Sequence, residues 1–334
     1  MHEGILSTIG NTPLIRLDKI FPENSIRLFA KLEGLNPGGS IKDRPAINII
    51  EHGLRTGHIN PETTIIESSS GNMGIGLAQI CSYLGLRFIC VVDVKTTKQN
   101  IRLLQTYGAE VDVIDVPDLM TREYLPARIQ RVRELQGIIK NSFCPNQYAN
   151  RGNSEAHHQT MHEIAMALNG EVDYLFCATS TCGTMRGCAE YIRQHHLRTK
   201  LYAVDAIGSV IFGSCKAKRL IPGHGAAVIP ELFGSDLADR VVHVSDLDCV
   251  IGCRRLVGTE AILAGGSSGA VLMAVEQVLE QIPDGATCAM IFPDRGERYL
   301  DTIYSDDWVS QHFGDVSHLW EKSSRAQESL AMRA

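Results

Sequence analysis

No apolar run in this chain approaches the roughly 18 residues that a membrane span needs, so no membrane partner is expected. Positive charge is not in excess either. A formal net charge of −6 and a pI near 6.1 argue against nucleic acid or an anionic membrane surface as partner. The opening MHEGILSTIGNTPL lacks a basic start and a long apolar core, so a secretory signal is not expected. No CxxC pair occurs among the 10 cysteines, several of which sit among apolar neighbours (Cys81, Cys90, Cys177, Cys288). They read as reduced, mostly buried thiols of a cytoplasmic protein. No GK[ST] closes a Walker A loop, and no GxGxxG supports a nicotinamide dehydrogenase. His158 and His162 have helical spacing without an HExxH frame, so no metal is expected. Internal repeats and low-complexity segments are also lacking.

What is present is ordinary for a globular protein: 44% hydrophobic and 21% charged residues in 334, enough for two lobes of ~150 residues each. Short β-branched or aromatic runs predict strands at 26–33, 64–67, 87–93, 110–115, 174–178, 201–205, 241–244 and 288–292. Amphipathic stretches predict helices at 73–84, 98–107, 124–136, 154–168, 185–196 and 268–281, with Gly85 and Gly108 at C-cap positions. This alternation means α/β architecture: mostly parallel sheets with helices on both faces. Ligands of such sheets sit beyond the carboxyl ends of the strands, so the loops after strands deserve the closest reading.

Residues 36–44, NPGGSIKDR, place Lys42 behind a Pro-Gly-Gly turn and a serine. Pro37, Gly38 and Gly39 break the strand-like run, and Ser40 is predicted to cap a helix starting at Ile41. Lys42 would then lie in the first helical turn. A lysine that must become a neutral amine and form a Schiff base needs such a setting, desolvated, rigid and near dipoles that lower its pKa. The plain alternative is a surface lysine after a loop. Three more loops follow strands. SSSGNMG (68–74) offers hydroxyls and free N–H groups to an anion, and TSTCGTMRG (179–187) has the small and hydroxyl residues of a phosphate cradle. GGSSGA (265–270) precedes a long helix. Taken singly, each is also explained by helix capping. Arg128, Arg131 and Arg133 read as a solvated helix face, with Arg128 kept as a candidate for binding substrate.

Together, a phosphate cradle, an anion loop and a lysine ready for Schiff-base chemistry point to pyridoxal phosphate. NPGGSIKDR, ESSSGNMG, the 179–187 loop, AGGSSGA and PDRGERYL also follow the order and approximate spacing of cysteine synthases and cystathionine β-synthases. STIGNTPLIRL (7–17) resembles that family's start, and the resemblance extends over about residues 5–305. It implies a fold-type II pyridoxal-phosphate enzyme with two doubly wound domains and the cofactor cleft between them. Residues 1–36 and 151–315 would form the larger, phosphate-binding domain, 37–150 a smaller mobile domain carrying Lys42, and 316–334 a polar tail. Lys42 would hold the cofactor and later move the substrate's α-proton. Asn72 would bond the ring oxygen, while Ser180, Thr181, Cys182, Gly183 and Thr184 cup the phosphate and Ser267 faces the pyridine nitrogen. Ser69, Ser70 and Asn72, helped by Gln147, would grip the substrate α-carboxylate. A serine does not favour a protonated ring nitrogen, so loss of a β leaving group competes well against transamination. By family analogy a homodimer is expected.

Departures from the cysteine-synthase pattern cluster near the substrate loop. Ser68 and Met73 stand where proline and threonine are usual, Ser180 and Cys182 where glycines are usual, and Arg151-Gly152 where proline follows. They imply altered substrate choice with retained chemistry, and Met73 is included among the expected substrate-binding residues. VDAIGSVIFG (204–213), NQYAN (146–150), PDRGERYLD (293–301) and IYSDDW (303–308) resemble one branch, the siderophore-pathway N-(2-amino-2-carboxyethyl)-L-glutamate synthases. That branch is understood to take O-phospho-L-serine, release phosphate and add the amino group of L-glutamate, toward L-2,3-diaminopropionate. A dicarboxylate substrate calls for cations and hydroxyls. Arg128 and Tyr148 are the expected suppliers, with Arg44, Arg186, Arg295 and Arg298 as further candidates. The resulting expectation is β-replacement on O-phospho-L-serine with glutamate; the alternative is a cysteine synthase using O-acetylserine or O-phosphoserine and sulfide. KDRPA does not fit a serine or threonine dehydratase of the same fold.

Overall fold

The computed structural model describes residues 3–213 and 215–321. In chain order the elements begin with β1 (Leu14–Arg16), β2 (Arg27–Leu32), α1 (Asp43–Arg55), β3 (Thr64–Ser68), α2 (Asn72–Leu84) and β4 (Phe88–Asp93). They continue with α3 (Lys98–Thr106), β5 (Glu110–Ile114), α4 (Tyr124–Ile138), β6 (Ser142–Phe143), α5 (Arg151–Ala167), β7 (Tyr174–Ala178) and α6 (Gly183–Gln194). The rest are β8 (Lys200–Ala206), β9 (Arg240–Val244), α7 (Asp246–Glu260), α8 (Gly266–Val278), β10 (Thr287–Phe292), α9 (Asp306–Phe313) and α10 (His318–Glu321).

Two compact units result. Among the described residues, one comprises 3–11 and Asn36–His157; the other comprises Thr12–Leu35 and 158–321 apart from 214. The reading from sequence placed 1–36 and 151–315 together, and so grouped 3–11, Asn36 and 151–157 with the second unit. Hydrogen bonds place them in the first: Asn36 Oδ1 accepts the Gly10 amide at 2.8 Å, and Asn48 donates to the Gly152 carbonyl at 2.8 Å.

The first unit holds a four-stranded parallel sheet in the order β5-β4-β3-β6. Every residue of β3 and β4 is buried, as expected of parallel strands covered on both faces. Successive side chains point to opposite faces of a strand. Ile65 therefore joins one core with Ile49, Ile50, Leu77 and Phe88, while its neighbour Ile66 joins another with Ile89, Val91, Val132 and Leu135. At the end of α2, Gly85 takes the left-handed conformation (φ 70°) expected of a C-cap glycine.

In the second unit a six-stranded sheet runs β1-β2-β10-β7-β8-β9, parallel except for the short β1, which pairs antiparallel with β2. β10 is buried throughout. Val316, Leu319 and Trp320 pack against this unit's core, so the first residues of the expected polar tail are folded onto it. Residues 322–334 lie outside the described part of the chain. Among the described residues, no helix is long and apolar enough to cross a membrane, and no group of three or more His, Cys, Asp or Glu could hold a metal ion.

α7 and α8 pack through glycines. A methyl group added at Gly269 would lie 2.2 Å from the Cys249 carbonyl oxygen, and one at Gly252 would lie 2.3 Å from that of Gly269. Overpacking against backbone cannot relax by a rotamer change. Gly269→Ala should therefore lower the unfolding free energy by about 2–3 kcal/mol in a urea titration. Gly258→Ala, also in α7 but with nothing within 4 Å of the added methyl, should raise it by about 0.5–1 kcal/mol.

Candidate active site

In the first unit the lysine turn is closed by its own aspartate. Asp43 is buried, and its Oδ2 accepts the Gly38 amide at 2.5 Å. Gly39, at φ 86°, donates to the Asn36 carbonyl at 2.8 Å, a reversal that a side chain would strain. The helix does not start at Ile41 under a Ser40 cap. Asp43 N–H bonds back to the Ser40 carbonyl at 3.2 Å, Ser40 Oγ accepts the Lys42 amide at 3.2 Å, and α1 begins only at Asp43. This tight turn leaves half-buried Lys42 at the N-cap position instead of inside the first helical turn.

The 68–74 loop joins β3 to α2, whose N-cap is Gly71 without a side-chain cap. Ser69 Oγ accepts the Gly74 amide at 2.9 Å, and the Ser70 carbonyl accepts Asn100 Nδ2 at 3.0 Å, so the loop is internally braced. Asn72 is half-buried as the first residue of α2. The next residue, Met73, is turned inward and belongs to the unit's core instead of the loop surface. Ser68 carries a buried hydroxyl without a hydrogen-bond partner.

Gln147 meets this loop. Its Nε2 donates to the Ser68 carbonyl at 3.3 Å, and its own carbonyl accepts Asn153 Nδ2 at 2.7 Å. Beneath both stands a residue missed in the sequence, Glu67. Its Oε1 accepts the Ser68 amide at 2.9 Å and its Oε2 the Gln147 amide at 3.4 Å. Burial pushes its carboxyl up to about 7, against the pull of these amides and of Arg128. An acid inside the otherwise apolar run TIIE was the available signal. Arg128, unlike Arg131 and Arg133, is buried: its Nε lies 3.3 Å from Asp93 Oδ2, and neither Nε nor Nη1 makes a hydrogen bond. Tyr148 is near enough to feel the charges of Arg128, Glu67 and Asp93, and burial raises its phenol above the usual range.

In the second unit, Thr179 Oγ1 donates to buried Asp205 Oδ1 at 2.8 Å and its carbonyl accepts the Gly225 amide at 2.7 Å, fixing the start of the 179–187 loop. Thr181, Cys182 and Thr184 are buried and Ser180 is half-buried. Cys182, the N-cap of α6, sits in the left-handed region (φ 63°) and provides no side-chain cap. A cysteine there is strained relative to a glycine. α8 likewise starts without a side-chain cap, at Gly265, with Ser267 in its first turn; neighbouring Ser268 has a buried hydroxyl without partner. Asp294, from PDRGERYL, braces this start: its carbonyl accepts the Gly265 amide and its Oδ2 the Tyr299 hydroxyl at 2.6 Å. Two of the further arginine candidates are committed elsewhere. Arg186 donates to the Leu232 and Phe233 carbonyls and pairs with Glu190, and Arg295 pairs with Glu297. His158 and His162 bond to Glu190 and Tyr191.

The sequence matches the pyridoxal-phosphate dependent enzyme family over residues 5–294. The chain belongs to that family. It is 33% identical to a hydrogen sulfide-producing enzyme from Fusobacterium nucleatum, over 90% of this chain and 98% of that one, with a TM-score of 0.84. An O-acetylserine dependent cystathionine beta-synthase from Helicobacter pylori is 32% identical over 91% and 99%, TM-score 0.85. A cysteine synthase from Entamoeba histolytica is 30% identical over 97% and 95%, TM-score 0.86. The fold is therefore fold-type II, the cofactor is pyridoxal phosphate, and the substrates are small molecules. The residues fit that group. α6 and α8 present N-termini without side-chain caps, where N–H groups favour a phosphate or a ring acceptor, and the orphaned Ser268 hydroxyl is one such unfilled polar group.

The Asp43 latch gives a direct test. Asp43→Ala removes the acceptor from the Gly38 amide at a cost of about 1–3 kcal/mol. The variant should melt lower and carry less cofactor per chain, measured from the visible absorbance of the purified protein.

Proposed function

We propose that the enzyme carries out cysteine-synthase-type β-replacement on an O-activated L-serine: the Cβ–O bond breaks, acetate or phosphate leaves, and a Cβ–S bond forms with sulfide or a thiol. The observation that supports it most is Lys42, set rigidly by the Asp43 latch at the start of α1 within a chain of this family. When bound, pyridoxal phosphate supplies a sink for the electrons released at Cα.

The chain's own residues divide the remaining work. Lys42 Nζ would hold the cofactor and, with the amino-acid substrate bound, would accept the Cα proton. The N-terminus of α6, with Ser180, Thr181, Cys182, Gly183 and Thr184, would hold the phosphate, and Ser267 would face the ring nitrogen. Asn72 would donate to the ring oxygen. The amides and hydroxyls of Ser69, Ser70 and Asn72, with Gln147, orient the substrate α-carboxylate so that the Cα–H bond faces Lys42.

A second reading takes the amino group of L-glutamate as nucleophile and O-phospho-L-serine as partner, giving N-(2-amino-2-carboxyethyl)-L-glutamate for diaminopropionate and siderophore synthesis. One observation favours it: buried Arg128 has two N–H directions without hydrogen bonds, a natural receptor for a second carboxylate. The activities named for the three relatives above favour sulfur.

Lys42→Ala should lose the lysine-bound cofactor band and at least about 10³-fold of turnover, the scale of removing a covalent catalyst that also moves the proton. Incubation with O-acetylserine or O-phosphoserine, each with sulfide, homocysteine or glutamate, separates the readings by product mass. Thioether or thiol products are expected; a glutamate adduct as the sole product would overturn the sulfur reading.

A further inference from the structure

Glu67 is an acid at the carboxyl end of β3, 2% exposed, with no role in the chemistry above. Its two carboxylate oxygens point to different segments. Oε1 takes the amide of Ser68, where the anion loop begins, and Oε2 takes that of Gln147. The Asn146 amide also lies close enough to favour the ionised form. Gln147 returns a bond to the Ser68 carbonyl, which closes the link. Both segments sit where the proposed function places the substrate α-carboxylate, and on that reading this inference rests.

We propose that Glu67 is a positioning residue for the amino-acid substrate: its ionised carboxylate latches the Ser68–Asn72 loop to the Asn146–Gln147 turn, and substrate affinity falls when it takes up a proton. An ionised carboxylate accepts from every amide aimed at it, whereas a protonated one turns one oxygen into a donor that opposes an N–H group. Burial already holds Glu67 near about 7, so the two forms exchange in the neutral range. The groups facing it are Arg128 from α4, Cys90 from β4, and Cys144 and Tyr148 from the segment before α5, with Asp93 behind Arg128. Burial keeps the two thiols and the phenol protonated in this range, and Asp93 lies 3.3 Å from Arg128 Nε. The sign is fixed: the latch is present above about 7 and is lost as pH falls through that value.

The holoenzyme is titrated with L-serine and with O-acetyl-L-serine from pH 5.5 to 8.5, following the cofactor absorbance as a binding signal that needs no nucleophile. O-phosphoserine is avoided, because its own phosphate titrates near about 6. Wild type should bind about tenfold more weakly per pH unit below about 7, with kcat changed far less than KM. Glu67→Gln should raise Kd about ten- to hundredfold at pH 8 and abolish the acid limb, with unchanged cofactor content. If wild type responds to the amino acids and Glu67→Gln binds them equally well with the same acid limb, the inference is overturned and the functional reading stands. If wild type shows no absorbance change with either amino acid at any pH, the functional reading falls and takes the inference with it. Should Glu67→Gln fail to fold, the wild-type profile decides: affinity independent of pH between 6 and 8 overturns the proposal.

Discussion

Gly38 donates its amide to Asp43, Ser68 and Gln147 donate theirs to Glu67, and Ala206 and Thr179 donate to Asp205. In each case a buried carboxylate at the end of a strand or the start of a helix gathers donors from a loop that would otherwise be free to reorganise. Charge-assisted bonds of this kind are roughly twice as strong as neutral ones, and they are strongest where water is excluded. The proposed chemistry requires that arrangement. A lysine that must hold a group and then move a proton, and a loop that must hold a carboxylate, gain only if their geometry is set before the substrate arrives. The small residues of NPGGS, SSSGN and GGSSG allow close backbone approach; the acids supply the rigidity that small residues cannot.

The same device carries an energetic cost, and the two units meet it differently. Lys31 and Glu163 lie 2.5 Å apart, almost fully buried, and Lys31 also bonds the Thr12 carbonyl, so the charge is well compensated. Glu67 is less complete, and its carboxyl rises toward neutrality as a result. Breaking such a buried set by removing one partner is expensive because the other charge stays behind. Conservative exchange at these acids is therefore more informative than truncation.

The parallel strands were legible because they are buried on both faces and read as continuous apolar runs; β3, β4, β7 and β10 lie within a residue of their predicted spans. β1 and β6, of three and two residues, were not legible, since runs so short have no pattern of their own and exist only by pairing with β2 and β3. Lys42 was legible as a placed lysine from Pro-Gly-Gly, but its exact helical position was not. That position depends on Asp43 reaching back to Gly38, a contact with no sequence signature beyond the aspartate itself. Arg128 was grouped with a solvated face because helical spacing alone cannot tell which of Arg128, Arg131 and Arg133 points inward; Asp93, distant in sequence, decides it. Glu67 was passed over because an acid closing a strand just before a polar loop gives no sign of burial, whereas here it lies under that loop.

Arg128 is also where the two choices of nucleophile make unequal demands. Sulfide or a thiol needs no fixed cation, so on that reading the guanidinium is buried only to pair with Asp93. The pair is loose: Nε stands 3.3 Å from Asp93 Oδ2, and Nε and Nη1 complete no hydrogen bond. Leaving buried donors unfilled costs about 1–3 kcal/mol, more for a charged group. A dicarboxylate substrate would fill those directions and recover that cost on binding, which turns a structural defect into specificity. It would also bring its own negative charge close to Asp93 and Glu67, an unfavourable neighbourhood unless Glu67 is protonated. But a proton on Glu67 weakens the grip on the amino-acid substrate. Glutamate as nucleophile therefore sets the two carboxylate sites against each other across the neutral pH range, whereas a sulfur nucleophile leaves Glu67 free to stay ionised. The charge balance of this one cluster, more than any feature of the lysine turn, separates the two chemistries.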